Sequence, residues 1–134
     1  MKIDELQVGE LVNDFHLRIG AEDVSAYLLA TGDHSSIWLT QELVPPQMIV
    51  TEMIAKILEV LELPKNLVHT GQEHTANDRV SFDSALRITV TVSQLSERAG
   101  TSIAVFDSQV TDSKGNKCFE SKTKVMVLGG DSSD

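Results

Sequence analysis

Apolar and polar positions alternate along several stretches of this chain, and one stretch between them is apolar almost throughout. The clearest alternation sets Leu86, Ile88, Val90 and Val92 against Arg87, Thr89, Thr91 and Ser93. Period two puts the aliphatic set on one face, which predicts a half-buried strand. From Leu11 to Ile19, the residues Leu11, Phe15, Leu17 and Ile19 share one phase, and the other phase is polar except for Val12. Segments 66–75, 101–111 and 117–128 also read as strands, with Gly71 a site for a bulge in the first. Short turns at Ser96–Gly100 and Asp112–Asn116 make the strands they join antiparallel neighbours.

Two segments follow the helical period instead. In Ala21 to Thr31, Glu22 and Asp23 suit the positive N-terminal end, Val24, Tyr27, Leu28 and Thr31 share a face, and Gly32 ends the helix. The second segment runs from Pro46, which suits a first helical turn, to Leu63, and Pro64 stops it. Met48, Ile49, Val50, Met53, Ile54, Ile57, Leu58, Val60 and Leu61 cover most of its circumference, leaving Glu52, Lys56, Glu59 and Glu62 on a narrow stripe. A helix apolar nearly all round is a core helix, so Ile54 and Leu58 are expected inside and Glu52 is expected to pair with Lys56. The reading is an α+β chain in which an antiparallel sheet wraps one central helix. Its uncovered edges predict a homodimer or a higher oligomer.

The chain of 134 residues suits one domain over 1–128, followed by a small or acidic tail, Gly129 to Asp134, expected to be disordered. A net charge of −9 argues against nucleic acid or an anionic membrane as partner. No apolar run approaches the ~18 residues of a bilayer span, and Met1-Lys2-Ile3-Asp4-Glu5 lacks the apolar run of a secretory signal. Cys118 is the only cysteine, so no internal disulfide forms, and a reducing cytoplasm is the expected location. His69 and His74 are five positions apart on a strand, hence on opposite faces unless Gly71 makes a bulge. With no cysteine or carboxylate cluster beside them, no metal site is expected, and no cofactor.

The order of strand, short helix, loop, core helix and four strands resembles the hotdog fold. More specifically the chain is similar to the MaoC-like hydratase/dehydratase family, the (R)-specific enoyl-thioester hydratases and their relatives. The matching pieces are Tyr27-Leu28-Leu29-Ala30-Thr31-Gly32-Asp33, Val44-Pro45-Pro46-Gln47-Met48, Val68-His69-Thr70-Gly71-Gln72-Glu73, and the turns at Ser96–Gly100 and Val110–Gly115. Together they cover nearly the whole chain. The Pro-Pro helix start and the Gly-Gln-Glu strand most resemble the branch related to fungal fatty-acid-synthase dehydratase domains.

That resemblance implies reversible addition of water across the 2,3 double bond of an acyl thioester, carried by CoA or an acyl-carrier protein. The family uses an Asp and, five residues later, a His, with amide N–H groups of the central helix's first turn aimed at the thioester oxygen. Asp33 matches the aspartate, but Trp38 stands where the histidine belongs, and Ser35-Ser36 replaces the usual Asn-Pro. An indole is no acid or base near neutral pH. His34 is the nearest titratable substitute, set against a plain solvent-facing loop histidine. Trp38, Gln47, Met48 and Ile49 are the expected substrate-binding residues, the last three through unpaired N–H groups. Three functions follow: a hydratase or dehydratase with an altered constellation; a non-catalytic partner subunit or acyl-thioester binder, paired with a MaoC-like chain; and a thioesterase using Glu52 or Asp33.

Overall fold

The computed structural model describes residues 1–129. The elements are β1 (Leu11–Leu17), α1 (Ala21–Thr31), α2 (Ile37–Thr40), α3 (Pro46–Val60), β2 (Leu67–Ala76), β3 (Leu86–Arg98), β4 (Thr101–Thr111) and β5 (Lys117–Val127), with a single 3-10 turn at Ile3–Glu5. The five strands form one antiparallel sheet in the order β1-β3-β4-β5-β2. Strands β3 to β5 are the expected meander. β2 does not pair with β3, its neighbour in sequence, but lies at the far edge against β5.

The crossing from β2 to β3 is fixed by backbone hydrogen bonds. Asn77 and Asp78 N–H both donate to Cys118 O (3.0 and 3.2 Å), Val44 N–H donates to Val80 O (2.8 Å), and Asp83 N–H donates to Ile19 O (2.8 Å). Residues 77–85 therefore run from the β2 edge, past the loop before α3, to the end of β1. No periodicity announces this path, because its anchors are main-chain groups that any residue supplies.

The sheet's inner row, including Ile88, Val90, Phe106, Val110 and Phe119, joins Ile49, Met53 and Ile57 of α3 in one buried core. The helix is more one-sided than expected: Leu58 is 48% exposed and Ile54 only partly buried. Lys56 does not pair with Glu52; its ammonium lies 3.4 Å from Glu59 and 5.6 Å above the Phe15 ring. The helix also stops at Val60, short of Leu63. Leu61 turns extended, stays buried, and hands the chain to Glu62, whose N–H donates to Met1 O at 2.7 Å. The N-terminal segment thus takes the backbone that a further turn of helix would have used.

β1 reverses its expected phase at one end. Its register shifts between Leu11 and Asn13, and this bulge turns Val12 inward (6% exposed) and leaves Leu11 51% exposed. Arg87 grips Asp14 through two hydrogen bonds (3.0 and 2.6 Å), tying β3 to β1 and holding the Asp14 carboxyl below its usual range. Of the tail expected to be disordered, Gly129 donates its N–H to Thr101 Oγ1 at 3.3 Å; the rest lies outside the described residues.

Candidate functional site

The segment between α1 and α3 carries the residues the sequence singles out. α1 ends as expected: Gly32 takes the left-handed conformation (φ 71°), and the Asp33 N–H closes the helix on Leu28 O at 3.0 Å. That closure aims the Asp33 side chain into the loop. Its Oδ1 accepts from Ser35 N–H at 2.8 Å, and its Oδ2 accepts from the Trp38 indole Nε1–H at 3.3 Å. The first bond shapes the turn. The second is made by the residue five positions further on. The four-residue helix α2, which the sequence reading did not resolve, places Trp38 there.

Trp38 also lines a cavity of about 400 Å³. Leu43, Val44, Pro46 and Ile49 form its α3 side, while Ala76, Phe119 and Asn77–Val80 form its sheet side. The cavity exists because the crossing segment 77–85 is pinned against the strand end and the loop before α3. Asp33 is not in its wall but is joined to it by one hydrogen bond through Trp38.

The other expected residues divide. His34 is exposed and makes no hydrogen bond among the described residues, and it is not brought to the cavity. Ile49 lines the cavity, whereas Gln47 is exposed and Met48 is buried outside it. The Met48 N–H is not free: it donates to Pro45 O at 3.0 Å, because the first turn of α3 is closed by a tight i→i−3 bond. With Pro45 and Pro46 lacking N–H groups, Gln47 holds the first amide hydrogen of the helix, and its carbonyl accepts from Thr51 Oγ1–H at 3.0 Å. Glu52 does not line the cavity either.

The bulge expected at Gly71 is present, as a register shift between His69 and Gly71. It puts His69 and His74 opposite Val125 and Ser121, two residues of the same buried row, and so on one face. Each ring is engaged separately. His69 Nε2 lies 3.0 Å from Gly71 O and from Gln72 Oε1, and the His74 ring stacks on Phe119 with centroids 5.7 Å apart. Asn77, Asp78, Arg79 and Phe119 are the site residues that sequence reasoning missed. An isolated Arg in an acidic chain was the one available signal.

A larger cavity of about 720 Å³ lies at the other end of α3, between the 3-10 turn, Glu62–Pro64 and the far ends of β3, β4 and β5. Its walls carry Asp4, Glu62 and Glu97 against Lys2 alone, the wrong sign for a phosphate-bearing ligand, and none of the expected site residues. The smaller cavity is therefore the candidate site. Among the described residues, no helix is long and apolar enough to cross a membrane.

No protein-family model and no curated protein sequence matches the chain. Solved structures do. An R-hydratase, PhaJ1 from Pseudomonas aeruginosa, superposes with a TM-score of 0.76 at 15% identity, over 95% of this chain and 85% of that one. The (R)-hydratase from A. caviae involved in PHA biosynthesis gives 0.71 at 20% identity, over 90% and 96%. The (3R)-hydroxyacyl-ACP dehydratase complex HadBC from Mycobacterium tuberculosis gives 0.69 at 16% identity, over 89% and 96%. With one antiparallel sheet about a central helix and superposition along nearly its full length, this chain has the hotdog fold in the form that MaoC-like (R)-hydratases and dehydratases share.

Proposed function

We propose that this chain is a MaoC-like protein that handles acyl thioesters, with hydration of an enoyl thioester or its reverse as its reaction. One observation carries the reading: Trp38 joins Asp33, the residue matching the family's aspartate, to an apolar cavity at the start of the central helix. The cavity takes the acyl group. Asp33 accepts a proton from water as the water oxygen bonds to C3 of the substrate. The displaced π electrons move onto the thioester oxygen, which the acyl group in the cavity leaves outside its walls, where the Gln47 amide at the positive end of α3 receives the charge. With no histidine at position 38, the proton returns to C2 from Asp33 itself, so one carboxyl group serves both halves of the addition. The dehydration direction runs the same steps backwards.

A second reading is favoured by the same hydrogen bond. An indole that occupies the histidine position and holds Asp33 Oδ2 also fits a subunit that binds the thioester while a partner chain supplies the acid–base pair. The HadBC structure is a complex of this fold, which supports that arrangement. In either case the free edge of β2 is the surface for pairing with a second copy or a related chain. The thioesterase reading, which called on Glu52 or Asp33, keeps only Asp33, since Glu52 does not line the cavity. Turnover of a short enoyl thioester by the purified chain, followed by loss of its conjugated absorbance, tests the first reading. Turnover only after a His-bearing MaoC-like chain is added supports the second, and no effect in either assay overturns both.

A further inference from the structure

The site reading leaves Arg79 without a role. It lines the candidate cavity together with Trp38 and Phe119, on the crossing segment 77–85. The chain has 20 acidic and 11 basic residues, yet among the described residues Arg79 is in none of the ion pairs, which use Lys56, Arg87 and Lys117. Its neighbour Asp78 forms no ion pair with it: Asp78 Oδ1 accepts from the Arg79 backbone N–H at 2.8 Å, a bond that turns this oxygen to the main chain. Arg79 is exposed, and a guanidinium at the cavity binds an anion through charge-assisted hydrogen bonds. The volume, about 400 Å³, is near the low end for ligand pockets, which run from ~300 to ~1,000 Å³, so the acyl group is short.

We propose that Arg79 is a specificity residue that selects small acyl thioesters bearing a negative charge within its reach, and this rests on the acyl-thioester reading above. The charge has two sources with one chemistry: a carboxylate on the far end of the acyl group, or the phosphate of a pantetheine-type carrier arm. Trp38 is the only tryptophan and lines the cavity, so its fluorescence reports occupancy with or without turnover.

The test titrates wild type, Arg79→Gln, Arg79→Lys and Asp78→Asn with three four-carbon enoyl thioesters. These are the neutral N-acetylcysteamine thioester, its counterpart with a terminal carboxylate, and the CoA thioester of the same uncharged acyl group, whose charge is all on its phosphates. Arg79→Gln is expected to weaken at least one charged ligand by ~10-fold or more, as loss of a hydrogen bond to a charged group does. The neutral N-acetylcysteamine thioester should change less than ~2-fold on that scale. Arg79→Lys should retain part of the charged affinity, and Asp78→Asn should tighten it. Whichever charged ligand responds identifies the source. Equal loss for all three ligands, or no loss for either charged one, overturns the role of Arg79 and leaves the thioester reading standing. Failure of every ligand to perturb Trp38 fluorescence in the wild type overturns both.

Discussion

Asp33 has both oxygens occupied before any substrate arrives, and the two bonds differ in strength. The 2.8 Å bond from Ser35 N–H is short and local. The 3.3 Å bond from Trp38 is longer than the ~2.9–3.0 Å typical of N–H···O, so Oδ2 is the oxygen that a water molecule can win. Asp33→Asn keeps the shape and removes the base, and is expected to lower hydratase turnover by ~10²-fold or more. Trp38→His restores a titratable group at the end of the same hydrogen bond and should raise kcat; steady-state rates on one enoyl thioester compare all three proteins. A Trp38→His rate no higher than wild type would show that position 38 does not face the reacting carbon. That Asp33 and Trp38 lie near each other was legible in the sequence because both belong to one loop. His34 was weighed as the nearest titratable substitute against a plain loop histidine facing solvent, and it is exposed. Arg79 and Phe119 were illegible because they reach the cavity only through sheet order and the crossing segment.

Among the elements, the strands and α3 were read from periodicity nearly to their ends, since burial of one face dictates the pattern. The departures occur where backbone hydrogen bonding overrides it. The bulge in β1 exchanges Val12 for Leu11, and the N-terminal segment ends α3 early. The pattern of α3 also overstated its burial, because an apolar helix surface shows which residues can be buried without showing what covers them. Ile57, 4% exposed, should cost ~2–5 kcal/mol when replaced by Ala. Leu58→Ala on the 48% exposed side should cost well under that in a dilute sample, and urea unfolding of the two variants checks the difference. Cys118 on β5 gives a second measure of the sheet. Burial, helped by the Asp112 charge, pushes its thiol up, so the native protein should resist a thiol-reactive dye at neutral pH and react fully once unfolded.

For the whole molecule, the sheet ends in two edge strands, each paired on one side only, and β2 is the longer one with ten residues against seven for β1. Light scattering at micromolar concentration is expected to give twice the 14.7 kDa chain mass; a value of one chain mass would count against pairing through β2. The repelling net charge of −9 makes that association stronger as salt is added. The bulge between His69 and Gly71 also bears on what kind of association is open to this edge. A straight edge strand accepts a second strand along its whole length, and that strand offers its own free edge to a third, the geometry of fibrils. Here the shift breaks the row of main-chain donors and acceptors into two in-register runs, Leu67 to His69 and Gly71 to Ala76. An edge interrupted in this way favours a closed pair over an open-ended stack, so the same bulge that reorients two histidines also works against fibril-like growth.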